Sequence, residues 1–300
     1  MFIGIDASKN KVDIASACKT IKMQGVNPLR AAEILCEFSV RLVVIEATGG
    51  YERPVVEALQ ARNIPVAVIN PRQARDFAKA LGRMAKTDAV DAAVLAQFAE
   101  KLRPHAEAPV TPHMRQLQAL VARRRQVQQT LTQEKNRCHQ ATDQAVKDSL
   151  QIVMDALAAT LKDVTVAIQR LLRRHWLDAH TVLQKAKGVG IVTAATLIAE
   201  LPELGCVGRK QIAELAGVAP FDRQSGKWRG KSFCSGGRKS VRTALYMATL
   251  TAVRHDETLK NFYQKLVQAG KPKKLALNAA MRKLLTILNA MTRDSLQITA

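Results

Sequence analysis

The spacing of apolar residues changes character along the chain. Phe2-Ile3-Gly4-Ile5 is an apolar run of strand length, and Lys11 to Ser16 alternates well enough to be the second arm of a hairpin. Leu42-Val43-Val44-Ile45 is β-branched and continuously apolar, the pattern of a buried strand, and it ends at Glu46. Val66 to Ile69 is a further strand, stopped by Asn70-Pro71. Pro28 to Phe38, Tyr51 to Arg62, Gln73 to Lys79 and Thr87 to Leu102 read as helices. Strands alternating with helices predict a mixed sheet with helices on its faces.

Beyond Thr111 the period lengthens. Up to about Trp176 the apolar positions recur three and four apart (Leu117, Leu120, Val121; later Ile152, Leu157, Leu161, Val164), which predicts a helical hairpin or coiled coil. A helix then ends at Lys187, Gly188-Val189-Gly190 makes a tight turn, and a second helix runs to Leu201. This is a helix-hairpin-helix pattern. Pro220 to Arg238 is a Gly/Ser/basic loop, followed by helices over Ser240 to His255, Leu259 to Ala269 and Lys274 to Met291. The expected fold class is therefore α/β followed by α. Three regions are expected: an α/β domain over 1–105, a helical coiled-coil linker over 106–178, and a mainly helical domain over 179–300.

Charge narrows the function. Lys and Arg number 46 against 25 Asp and Glu, a net charge of +21. A surplus of that size repels itself and calls for a polyanionic partner, nucleic acid before an anionic membrane. The longest apolar stretch, around Leu275 to Ala290, is broken by Arg282 and Lys283, so a membrane partner is disfavoured. Asp6 inside the opening apolar run argues against a signal peptide and for a cytoplasmic protein. Cys18, Cys36, Cys138, Cys206 and Cys234 form no CxxC pair, hence neither a disulfide framework nor a zinc cluster. The basic run from Arg123-Arg124-Arg125 to Arg137 is either a solvated helix face or a phosphate-tracking surface. In the helix-hairpin-helix, Gly188 and Gly190 let backbone N–H groups approach a phosphate, with Lys185 and Lys187 beside them, although such corners also use glycine for steric reasons.

In so basic a chain, carboxylates in apolar settings stand out. Asp6 follows Ile3-Gly4-Ile5, and Glu46 closes a run of four apolar residues, both costly places for an unpaired charge. Asp88 and Asp91, three apart on a helix, share a face and repel unless a cation lies between them. Four carboxylates could hold two magnesium or manganese ions about 4 Å apart, the arrangement that clamps attacking and leaving oxygens in phosphoryl transfer. Each also has an ordinary reading: a strand end, a helix cap, or a partner for Arg41 or Arg53.

Ile3–Lys9 (IGIDASK), Val44–Tyr51 (VIEATGGY), Val68–Pro71 (VINP) and Lys86–Ala92 (KTDAVDA) resemble the IS110 family of insertion-sequence transposases, to which the Piv-type DNA invertases are related. Ala216–Pro220 (AGVAP), Ser235–Ala248, Gly270–Lys274 (GKPKK) and Met281–Leu285 (MRKLL) resemble the same family's transposase domain, in the same order. The resemblance implies a RuvC-like (RNase H fold) domain, a coiled coil and a C-terminal transposase domain. It assigns the family's Asp-Glu-Asp-Asp tetrad to Asp6, Glu46, Asp88 and Asp91. It assigns the catalytic serine to Ser225, directly before Gly226, with Ser232, Ser235 and Ser240 nearby. It further implies a structured noncoding bridge RNA that pairs with donor and target DNA, leaving the protein to read backbone and shape.

The activity expected on these grounds is DNA transposition or recombination. Ser225 Oγ attacks a phosphodiester to give a phosphoserine link, and Arg223, Lys227, Arg229, Lys231, Arg238 and Arg242 hold nearby phosphates. Carboxylates and serine fall in different domains and must meet, within one chain or between two. Exchange between two DNA partners suggests a homodimer that assembles into a tetramer. Two rivals are a RuvC-like nuclease or junction resolvase that uses water, and a non-enzymatic nucleic-acid-binding protein.

Overall fold

The structure is a computed structural model. It describes the backbone of residues 1–82, 88–106, 108–221, 224–225, 228–230 and 233–299, and the side chains of these except 88–90, 224–225, 228–229 and 298–299. The chain divides into two compact units, Met1–Val110 and Thr111–Ala300.

The first unit is built on five strands, β1 (Phe2–Ala7), β2 (Val12–Ser16), β3 (Lys22–Val26), β4 (Leu42–Glu46) and β5 (Val66–Ile69), in the order β3-β2-β1-β4-β5. β1, β2 and β3 form an antiparallel meander, and β4 and β5 run parallel to β1. Because side chains alternate across a strand, β1 serves two cores. Ile3, Ile5 and Ala7 pack with Ala31, Leu35, Val55 and Leu59, from α1 (Pro28–Cys36) and α2 (Arg53–Gln60). The opposite face is covered by α3 (Pro71–Ala80) and α4 (Asp88–Leu102), where Leu42 and Val44 meet Leu95, Phe98 and Ala99. Two helices start as their sequences dictate: Asn27 and Asn70 cap α1 and α3, each followed by proline in the first turn.

Gly4 fixes how close α4 lies. A Cβ there would stand 2.1 Å from the Ala92 carbonyl oxygen and 2.2 Å from the Ala96 nitrogen. The helix backbone rests directly on the strand. Gly4→Ala is therefore expected to destabilise this unit by at least the ~1–3 kcal/mol typical of overpacking, because the clash is with backbone that cannot rotate away. A thermal melt checks this, and an unchanged midpoint would contradict the close contact.

The second unit is helical. α5 (Pro112–Gln140) and α6 (Gln144–His175) form an antiparallel hairpin, α5 being about 43 Å long at 1.5 Å per residue. At its root Leu117, Val121, Ile168 and Leu172 pack on Ala195 and Ala199 of α8 (Ile191–Glu200). α7 (Leu177–Gln184), α8, α9 (Arg209–Leu215), α10 (Lys239–His255), α11 (Glu257–Gln268) and α12 (Lys273–Thr299) enclose the largest core, centred on Leu197, Ile212, Leu245 and Leu288. Between α9 and α10 lie two short antiparallel ribbons, β6 (Pro220–Phe221) with β9 (Phe233–Cys234), and β7 (Gln224–Ser225) with β8 (Trp228–Arg229). The five cysteines are free. Among the described residues, no helix is long and apolar enough to cross a membrane.

Candidate catalytic and nucleic-acid-binding sites

The backbone gathers the acidic positions at one end of the sheet. β1 and β4 are paired with Ile5 opposite Ile45, so Asp6 and Glu46 follow at the same level on neighbouring parallel strands. Asp6 lies two residues beyond Gly4 and Glu46 two beyond Val44, so both belong to the face that α4 covers. Arg103 stands over the Phe2 ring, and Ala92, Leu95 and Ala96 lie over Gly4. α4 thus runs antiparallel to β1, and its first turn, which carries Asp88 and Asp91, comes to the strand ends of Asp6 and Glu46. Asp6, Glu46 and Asp91 are half-buried. Among the described residues no three His, Cys, Asp or Glu stand close enough together to hold a metal ion, and the Asp88 side chain lies outside those residues.

The loop after Glu46 is held by a residue that the sequence reading did not single out. The Glu52 carboxylate accepts hydrogen bonds from the Thr48 N–H at 3.1 Å, the Thr48 hydroxyl at 2.9 Å and the Gly50 N–H at 2.8 Å. Burial pushes the Glu52 carboxyl up, but bonds from its own and the Gly50 backbone and from Thr48 outweigh it and leave it below its ordinary value. Gly49 and Gly50 have φ of 78° and 125°, which glycine accepts at little cost. A carboxylate six residues beyond Glu46, two after a pair of glycines, was the available signal.

The serine loop is stitched at its base. Gly217 and Gly237 pass so close that a Cβ on Gly237 would lie 2.1 Å from the Gly217 nitrogen. The Arg238 N–H donates to the Leu215 carbonyl at 2.8 Å. Its guanidinium grips Glu203 through two bonds of 2.5 and 2.7 Å. Burial raises the Glu203 carboxyl, and the Arg238 bonds more than reverse that, leaving it lowered. Arg242 donates to the Gly236 carbonyl at 2.6 Å and to that of Gly217 at 3.4 Å. Both arginines, expected at phosphates, thus also hold the loop's ends together. Ser225 ends the β7 arm, opposite Trp228, and Arg229 lies in β8 opposite Gln224. Their side chains, like Arg223, Gly226, Lys227, Lys231 and Ser232 altogether, lie outside the described residues. Ser235 is exposed. Ser240, in the first turn of α10, donates to the Glu200 carboxylate, which also takes Arg125 at 2.9 Å.

The arginine triplet on α5 splits three ways. Arg123 is exposed; Arg124 donates from Nε to the Thr165 hydroxyl at 2.9 Å, and burial lowers its pKa; Arg125 pairs with Glu200. Arg124 and Arg125 line a cavity of about 840 Å³ together with Thr193, Lys239 and Ser240. In the helix-hairpin-helix, Gly188 has φ of 92°, and a Cβ there would lie 2.4 Å from the Ala248 carbonyl oxygen, so it serves packing against α10. Gly190, Lys185 and Lys187 are exposed at the start of α8 and the turn before it.

Comparison with known proteins agrees with this anatomy. A family model of the IS110-type DEDD transposase domain matches residues 3–147, and the model described as the transposase IS116/IS110/IS902 family matches residues 180–264. The pilin gene-inverting proteins of Moraxella lacunata and Moraxella bovis are each 28% identical, over 98% of this chain and 96% of theirs. An uncharacterised 42 kDa protein of insertion element IS900 from Mycobacterium paratuberculosis is 29% identical over 46% of this chain and 35% of its own. The chain belongs to the IS110 family of transposases, a class of protein that carries out DNA recombination.

Proposed function

We propose that this protein cuts and rejoins DNA strands through a covalent link between DNA and Ser225, aided by magnesium or manganese at Asp6, Glu46, Asp88 and Asp91. The observation that carries the reading is the shared register of Asp6 and Glu46, with the first turn of α4 brought to them by Gly4. Carboxylates on two adjacent strand ends and one helix start are an all-oxygen donor set, which suits a hard divalent cation. The mixed five-stranded sheet that presents them supports a RuvC-like assignment. A bound ion would stabilise the charge that spreads over the phosphate oxygens. Ser225 Oγ forms a bond to phosphorus as the phosphorus–oxygen bond to the sugar breaks. The hydroxyl proton departs, and the sugar oxygen leaves as a hydroxyl. The phosphoserine ester conserves the bond energy, so a second strand's hydroxyl can displace the serine and reseal the DNA. Incubating two differently labelled duplexes tests the reading: joined products support recombination, and cut ends alone support a nuclease.

The relatives invert a pilin gene, by their names, which supports rearrangement rather than degradation of DNA. We further propose that a structured noncoding bridge RNA chooses the sites. Pairing of two chains and then four is the assembly that strand exchange needs. Ile152, 73% exposed on α6, and Val146, 50% exposed, give the hairpin apolar surface for such contacts. Arg123 is the member of the triplet free to meet a phosphate. Arg123→Ala should flatten the dependence of duplex affinity on salt by about 0.9 log units per log unit, one phosphate's worth. An unchanged slope would make it a solvated residue. Arg124→Ala should instead loosen the hairpin root, seen as a lower melting temperature.

A further inference from the structure

A cavity of about 1100 Å³ in the second unit lies among α9, the base of the β6–β9 ribbon, α11 and α12. Its floor is apolar, with Phe262, Leu275 and Ile287. Among the described residues five cations line it, Arg209, Lys210, Lys274, Arg282 and Lys283, and no carboxylate does. Two sequence motifs left without a role above, Gly270–Lys274 and Met281–Leu285, supply three of the five. Lys283 stands 4.5 Å from the centre of the Phe262 ring, so even this cation lies against the apolar floor.

We infer that this groove binds a single strand of DNA, its bases on the apolar floor and its phosphates on the cationic rim. The inference rests on the reading of the protein as a DNA recombinase and adds the place where an unpaired strand runs. Charge points to a polyanion, since the five cations that line the groove repel one another until one arrives. The floor distinguishes single strand from duplex. A duplex offers mainly phosphates to a groove, whereas an unpaired base presents a face that apolar and aromatic side chains cover. Position points to DNA: Pro220 and Cys234, paired in the ribbon, line the groove, and the segment they bracket carries Ser225. A strand opened for cutting at that loop would have this groove beside it.

The test uses the full-length protein and a fluorescent 20-nucleotide DNA single strand, with the same sequence as duplex DNA and as single-stranded RNA. Lys274→Gln/Arg282→Gln/Lys283→Gln should lower the salt slope for single-stranded DNA by about 2, at about 0.7 per phosphate. Ala279→Glu, which puts a carboxylate on a lining position, should weaken single-stranded DNA binding roughly tenfold or more, the scale of one lost stacked base. Both should affect the duplex less, and circular dichroism should show an intact helical fold. Unchanged single-strand binding by both folded variants overturns the groove while leaving the recombinase reading in place. Equal or larger losses on duplex or RNA overturn the assignment to single-stranded DNA. If the triple variant unfolds, Ala279→Glu alone decides. Failure of the wild type to bind any of the three DNA and RNA probes would instead defeat the recombinase reading and the groove with it.

Discussion

Asp6→Ala protein is expected to fold normally and to make no recombinant DNA. Asp6 is half-buried at the end of β1, level with Glu46 on the next strand. The loss falls on the chemistry. An ion that neutralises the developing phosphate charge contributes several kcal/mol, and 4 kcal/mol is about a thousandfold in rate. Asp91→Ala should behave alike, because it lies in the first turn of α4, which reaches the same strand ends. Excess chelator should silence the wild type, and added magnesium or manganese should restore it. Gel analysis of joined products checks each of these; undiminished recombination in excess chelator would remove the metal from the mechanism. Glu52→Gln offers a graded companion. It keeps an acceptor for Thr48 and Gly50 but loses the negative charge, so it should lower activity far less than Asp6→Ala.

Ser225→Ala should be as inactive as Asp6→Ala in recombination and yet keep nucleic-acid affinity. One hydroxyl is lost from a short hairpin arm, whereas the cations and the Arg238–Glu203 and Arg242–Gly236 contacts that hold the loop's base remain. A serine hydroxyl becomes an effective nucleophile only when its surroundings assist it, so Ser225→Ala should form no covalent link to DNA. The double variant Asp6→Ala/Ser225→Ala should be no worse than either single variant, as expected of parts that act in one step. A water-using nuclease predicts the opposite, with full cleavage by Ser225→Ala.

Strong periodicity made much of this legible. Val66 to Ile69 is a strand with the expected bounds, and the long helical stretch from Thr111 is the α5–α6 hairpin. What escaped was weakly patterned. β3, Lys-Met-Gln-Gly-Val, has no buried residue among its five and a glycine inside it, so no alternation marks it. α9 buries two residues of seven, Ile212 and Ala213. The ribbons of the serine loop have arms of two residues, below the length at which a period can show. Of the candidate sites, residue identity exposed the acidic positions, but not the close seating of α4 on β1. That depends on Gly4, whose missing side chain is visible as a requirement only once α4 lies on it. Likewise the sequence assigns Arg238 and Arg242 to phosphates, whereas Arg238 pairs with Glu203, 35 residues away, and Arg242 bonds the Gly236 carbonyl six residues back.

The serine link itself can be caught. Wild-type protein incubated with labelled DNA, denatured, and digested with trypsin and nuclease should yield a peptide that carries a nucleotide. Trypsin cuts after Arg223 and Lys227, so Ser225 falls in the peptide Gln224–Lys227, Ser232 and Ser235 fall in Ser232–Arg238, and Ser240 falls in Ser240–Arg242. Mass spectrometry is predicted to find the nucleotide on Gln224–Lys227, and to find none in Ser225→Ala. A nucleotide on either other peptide, or cut DNA with no modified peptide at all, would contradict the account.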